Sequence, residues 1–143
     1  MTASGLSRLL LILLPLIGSF DANAEEQSLY ARLGGEPVVS RVVEQTVSRI
    51  ANDPRHNHSL AKVNLNKLYK KLTVHLCAIT GGGCEYTGDD MKTVHAGLDI
   101  TQGDNYAMIE SLRQALDENG IGEREKNELL KILAPFEREV VSK

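Results

Sequence analysis

Five apolar residues, Leu65, Leu68, Leu72, Leu76 and Ile79, recur at three- and four-residue intervals and give way to Gly81-Gly82-Gly83. Side chains return to the same face of an α-helix about every 3.6 residues, so this spacing forms one stripe. It predicts a helix running roughly from Asn64 to Thr80, buried along one side. At about 100° per residue, Lys71 and His75 share one shoulder of the stripe beside Leu68, which places both near the buried face. Three successive glycines cannot sustain the helix, so the chain turns there.

The rest of the chain repeats this pattern. Val39, Val43, Val47 and Ile50 mark an earlier helix, with Pro37 in its first turn and Asn52-Asp53-Pro54 at its end. Arg55 to Ser59 reads as a loop or short 3-10 corner, anchored by Leu60. Asp89 or Asp90 suits the cap of a short turn bearing His95, and Thr101 suits the cap of a helix containing Ile109, Leu112 and Leu116. Asn119-Gly120 stops that helix, and a last one carries Leu129, Leu133, Phe136 and Val140, with Pro135 expected to kink it. No segment alternates as a strand would. The fold class is therefore all-α, with about four main helices and a short one. A chain of 143 residues, 42% hydrophobic, suits one small domain.

The N-terminus reads differently. Arg8 precedes an apolar run from Leu9 to Ile17, and Ala22-Asn23-Ala24 forms a small-x-small cleavage site before Glu25. The run is shorter than the roughly 20 apolar residues a membrane-spanning helix needs. Residues 1–24 are thus expected to be a cleaved secretory signal and 25–143 the mature domain, periplasmic or secreted, with no stable membrane span after cleavage. An uncleaved anchor is the alternative. In an oxidising compartment Cys77 and Cys84 are expected to form a disulfide across the glycine turn. Their spacing is neither Cys-x-x-Cys nor a Cys-x-x-Cys-His haem attachment motif. A net charge of −3 without a basic stripe argues against nucleic acid as a partner.

The segment around His95 carries the functional signal. It reads Tyr86-Thr87-Gly88, then Met91-Lys92-x-x-His95-x-Gly97-x-x-Ile100-Thr101, directly after the glycine turn. Upstream stands Tyr30-x-x-Leu33-Gly34-Gly35, and downstream Leu133-Ala134-Pro135. Together these strings resemble the group I truncated haemoglobins, over about residues 28 to 141. The resemblance implies a truncated globin fold, a two-over-two helical sandwich around haem b, with His95 as the iron's proximal ligand. Imidazole is the usual side-chain ligand of globin haem. It also implies a pocket that includes Leu76, Leu98 and Ile100.

The other side of that implied pocket departs from the family pattern. Val47, preceded by Thr46, stands where the family usually carries a ligand-stabilising tyrosine, and Leu60 replaces a phenylalanine wedge. Leu68 and Leu72 occupy positions that are polar in relatives. Efficient nitric oxide dioxygenation is therefore disfavoured. Lys71 stands where some members place a sixth iron ligand, and burial beside a cationic iron would favour its neutral, ligating form. Its alternative roles are a propionate partner or a solvated chain. His75 is expected in the pocket wall, where the family usually packs an aromatic. His56 and His58 read as surface residues, and Lys62, Lys67 and Lys70 as a solvated face.

The reading that follows is an exported haem protein that binds O2 or NO, or cycles electrons with a donor. A haem-free module using its histidines for a transition metal is one alternative, though His56, His58, His75 and His95 lack compact ligand spacing. A redox-active thiol protein is the other, and the cysteine spacing argues against it.

Overall fold

A computed structural model describes residues 26–143, so the expected signal at residues 1–24 lies outside the described residues. Regular structure among the described residues is helical throughout. Helix α1 spans Leu29–Arg32, α2 Gly35–Asn52, α3 Leu65–Ile79, α4 Met91–His95, α5 Gln102–Glu118, α6 Glu123–Leu133 and α7 Glu137–Val140. Short 3-10 turns at Asn57–Leu60 and Ala134–Phe136 complete the set. No helix among the described residues is long and apolar enough to cross a membrane.

Helix α2 is the centre of the molecule, packed broadly against both α3 and α5. Its buried face, Val39, Val42, Val43, Thr46, Val47 and Ile50, is dominated by β-branched residues that favour helix only weakly by themselves. Burial therefore makes this helix, not propensity. Val39, Val42 and Val43 join Leu112, Ala115 and Leu116 of α5, Leu76 of α3, Leu129 of α6, and Leu29 and Leu33 of α1 in one core. Each fully buried Val or Leu side chain contributes about 1.5–3 kcal/mol. The void within this cluster is only about 10 Å³, so it is close-packed.

The helix ends follow the sequence. Asn64 caps α3 by accepting from the Lys67 amide at 3.0 Å. Thr101 and Asp104 form a reciprocal capping box at the start of α5. At its other end Gly120, at φ +72°, permits the left-handed turn in which Ile121 N–H reaches the Leu116 carbonyl at 3.0 Å. Lys126 of α6 is buried, and its ammonium pairs with Asp117 and Glu123. Pro135 does more than kink the last helix. It sits in the 3-10 turn that divides α6 from α7, where its ring and missing N–H interrupt the α ladder.

Candidate functional site

Helix α4 lies outside the main core and packs chiefly against α7. Five residues are too few to hold a helix by propensity, so local contacts define it. Asp90 caps it, accepting from the Thr93 amide at 2.7 Å. Hydrogen bonds from Thr93, backbone first and then side chain, keep the Asp90 carboxyl below its usual range. At the other end His95 Nδ1 lies 2.7 Å from the Met91 carbonyl oxygen. A carbonyl can only accept, so Nδ1 carries a proton, and in the neutral ring Nε2 keeps its lone pair. That nitrogen has no hydrogen-bond partner among the described residues. The backbone contact thus fixes both tautomer and ring orientation, as a partner on the remote nitrogen does for metal-bound histidines.

The loops on either side hold α4 in place. Cys77 and Cys84 form the expected disulfide, with Cα atoms 5.7 Å apart. The turn between them passes so close to α3 that a Cβ on Gly82 would lie 2.5 Å from Cys77 Sγ and 2.6 Å from the Tyr30 ring. Only glycine fits there. Beyond α4, the buried Ile100 accepts through its carbonyl from the amides of Ser142 at 2.9 Å and Lys143 at 3.2 Å, tying the C-terminus behind the site.

Opposite stands α3. Leu68 and Leu72 are half-buried, as are Leu98 beyond α4 and Leu60 on the first 3-10 turn. Val47 is buried, and so is Thr46, whose hydroxyl donates back to the Val42 carbonyl at 2.7 Å. That proton is committed to its own helix. Leu76 belongs to the close-packed core, where it lines the small void with Leu33, Val39 and Val42.

One expectation needs correction and another is refined. Lys71 and His75 do not share an environment: Lys71 is exposed, whereas His75 is only 8% exposed. The cause is what covers each part of α3. The His75 ring meets Tyr86 in an edge-on contact, centroids 4.7 Å apart, and Phe136 at 5.7 Å. Burial lowers its pKa and favours the neutral ring. His58 is exposed as expected, His56 is half-buried, and both face Asp104. His56 Nδ1 lies 2.8 Å from Asp104 Oδ1, and His58 Nε2 lies 3.7 Å from Asp104 Oδ2. Burial by itself would raise the Asp104 carboxyl, but hydrogen bonds from the Thr101 side chain, His56 and the Thr101 amide outweigh it. With the nearby His58 they hold it down to about 2. These are hydrogen-bond and ion-pair contacts. No group of three or more His, Cys, Asp or Glu side chains is arranged to hold a metal ion among the described residues.

Sequence reasoning missed Tyr86 and Phe136 as the cover of His75, and Asp104 as the partner of His56. Each contact joins residues on different elements, so helical period carries no signal of it.

The arrangement is a histidine held with one free lone pair on a short capped helix, beside half-buried leucines and a tightly packed helical core. The family model for bacterial-like globins matches residues 28–142. A Group 1 truncated hemoglobin of Mycolicibacterium paratuberculosis is 32% identical over 119 residues, covering 83% of this chain and 88% of that protein. One from Tetrahymena pyriformis is 26% identical, covering 82% and 97%. The chain belongs to the bacterial-like globins, among the group 1 truncated haemoglobins. The crystal structure of the Tetrahymena pyriformis truncated hemoglobin in its Fe(III) form superposes with a TM-score of 0.77 at 26% identity, over 82% of this chain and all of that one. The 2/2 hemoglobin of Synechococcus in the cyanomet state, with covalently attached heme, gives 0.76 at 23% over the same shares, a likeness of fold. The expected two-over-two globin architecture is thus met.

Proposed function

We propose that this chain binds haem b through His95 and takes diatomic ligands such as O2 or NO on the opposite face. The observation that carries the reading is the His95 Nδ1 bond to the Met91 carbonyl, which leaves Nε2 as a pre-oriented donor of electrons to iron. The residues fit the group. Leu68, Leu72 and Leu98 offer half-buried apolar surface, Val94 of α4 is 36% exposed, and an apolar macrocycle would cover such surface. When bound, haem supplies a ligand-binding, redox-active iron; the protein orients the imidazole and excludes water. Truncated hemoglobins among the relatives support the same assignment.

Ligand binding or electron cycling with a donor suits the pocket better than nitric oxide dioxygenation. Val47 offers no hydrogen bond, and the Thr46 hydroxyl proton is taken. Lys71 is the proposed internal sixth ligand. Its exposed amine sits on a long flexible stem, one turn before His75. Export to the periplasm or medium completes the reading, supported by the apolar leader ending at Ala24 and by a disulfide suited to an oxidising compartment. Full-length protein expressed with ample haem tests the cofactor. The purified product should carry one haem per chain and show a Soret band that shifts on reduction and again with carbon monoxide. A haem-free product that also fails to take up added haem would overturn the reading.

A further inference from the structure

Residues 54–84 contain five cationic side chains, Arg55, Lys62, Lys67, Lys70 and Lys71, and no Asp or Glu, in a chain of net charge −3. Arg55 pairs with Asp53, and Lys71 is the proposed iron ligand. Lys62, Lys67 and Lys70 remain, all exposed. The ion pairs among the described residues draw on Arg32, Arg49, Arg124, Lys126 and Lys143, and on none of these three. Lys67 and Lys70 stand three apart on one helix, where like charges repel. Their grouping therefore does nothing to stabilise α3.

Helix geometry gathers these charges around apolar surface. At about 100° per residue, Lys67, Lys70 and Val74 share one side of α3, turned away from the half-buried Leu72 and the buried Leu76. Val74 is 38% exposed, and Val63, beside Lys62 and just before α3, is 37% exposed. They are two of the four large hydrophobic side chains exposed among the described residues. A small apolar centre with a charged rim is the composition of a protein docking surface. A membrane asks for more, since interfacial helices bury Trp, Phe or Leu beneath their lysines. This face offers only valines. The far side of the same helix holds Leu68 and Leu72, the apolar surface assigned above to the haem. A body seated on the lysines is one helix thickness, about 10 Å, from it.

We propose that Lys62, Lys67 and Lys70, with Val63 and Val74, form the docking surface for an acidic one-electron carrier protein that reduces the haem iron. The proposal rests on the haem reading above and gives the donor its chemical class. In the step the carrier loses one electron, ferric iron becomes ferrous, and no covalent bond forms or breaks. Opposite charge steers the encounter and raises on-rates by about 10- to 1,000-fold at low salt. A small contact area lets the oxidised carrier leave.

The test uses haem-loaded, full-length ferric protein and, as the probe, a reduced acidic [2Fe–2S] ferredoxin of plant type. The second-order rate of haem reduction should fall about tenfold between about 0.01 M and 0.15 M salt, as the screening length shrinks from about 30 Å to about 8 Å. Lys67→Glu with Lys70→Glu should lower the low-salt rate about tenfold and flatten its salt dependence. Arg124→Glu with Lys131→Glu, on the exposed side of α6, changes net charge equally and should lower the rate far less. Without electron transfer, oxidised ferredoxin should perturb amide signals chiefly in residues 62–74. Should the double lysine variant fail to fold, Lys62→Glu, outside α3, supplies the same comparison. Equal rates and salt slopes in wild type and the lysine variants would overturn the proposal. So would an equal loss in the α6 variant, which would make the effect one of net charge. Faster haem loss from the double lysine variant would overturn it too, by assigning these lysines to the haem propionates. The same holds if wild type binds phosphatidylglycerol vesicles and the variant loses that binding with ferredoxin kinetics unchanged, which would make the face a membrane surface. Failure of wild-type protein to take up haem is a separate result and would overturn the haem reading and this proposal together.

Discussion

The α2 core and the α4 segment are stabilised by different means. The core holds itself: α2, α3, α5 and α6 bury aliphatic side chains around a void of about 10 Å³. Helix α4 buries no residue of its own. It is held by the Asp90 cap, the His95–Met91 bond, contact with α7 and a disulfide upstream. Local opening costs least where few apolar contacts are broken, so α4 is the region where a bound cofactor has most to add. The part proposed to carry the chemistry is one that folding alone secures weakly.

The largest expected effect concerns that asymmetry. Adding haem to wild-type protein should raise Tm by several degrees and slow amide exchange most in residues 84–101, with little change in α2. His95→Ala should lose both responses. Uniform protection of α2 and α4 would break the comparison. Next comes the disulfide. Replacing Cys77 and Cys84 together by Ser should cost about 2–3 kcal/mol by the chain-entropy model, read from denaturant unfolding. The exchange gained should concentrate after Thr80.

A smaller effect is expected at Asp104, which holds Thr101 and faces His56 and His58 at the start of the first 3-10 turn. Its folded carboxyl sits at about 2 against a usual 3.8. The stability it contributes is therefore present above about pH 4 and lost as pH falls toward 2. Asp104→Asn should lower Tm near neutral pH through loss of the cap and the His56 contact, about 1–2 kcal/mol, and flatten the acid limb of the Tm profile. Least of all, Lys71→Ala should leave thermal stability within about 0.5 kcal/mol, as its exposure requires. Its effect should appear in the haem spectrum, as a low-spin form converted to a high-spin or water-bound one.

Local chemistry was legible in the sequence wherever one helix or turn decided the outcome. The caps at Asp90 and Thr101, the stop at Asn119-Gly120 and the cysteine pair all follow from residue type and short spacing. The histidine-bearing turn was legible because a cap and a glycine turn bracket it. The contrast between Lys71 and His75 was not. Helical period gives a side chain's angle about the helix axis, and these two lie only about 40° apart. It says nothing of Tyr86 and Phe136, which cover one end of α3 and leave the other open. The same limit hid Asp104 from His56, 48 residues earlier.

The central claim is that His95 is a pre-oriented iron ligand, and absorbance titration with haemin tests it most directly. Apo wild-type protein should titrate to a sharp break at one haem per chain, with a Soret band of a histidine-ligated iron. His95→Ala should show weak, non-saturating uptake, while His56→Ala and His58→Ala should titrate as wild type does. A sharp one-to-one break with an unchanged spectrum in His95→Ala would contradict the account.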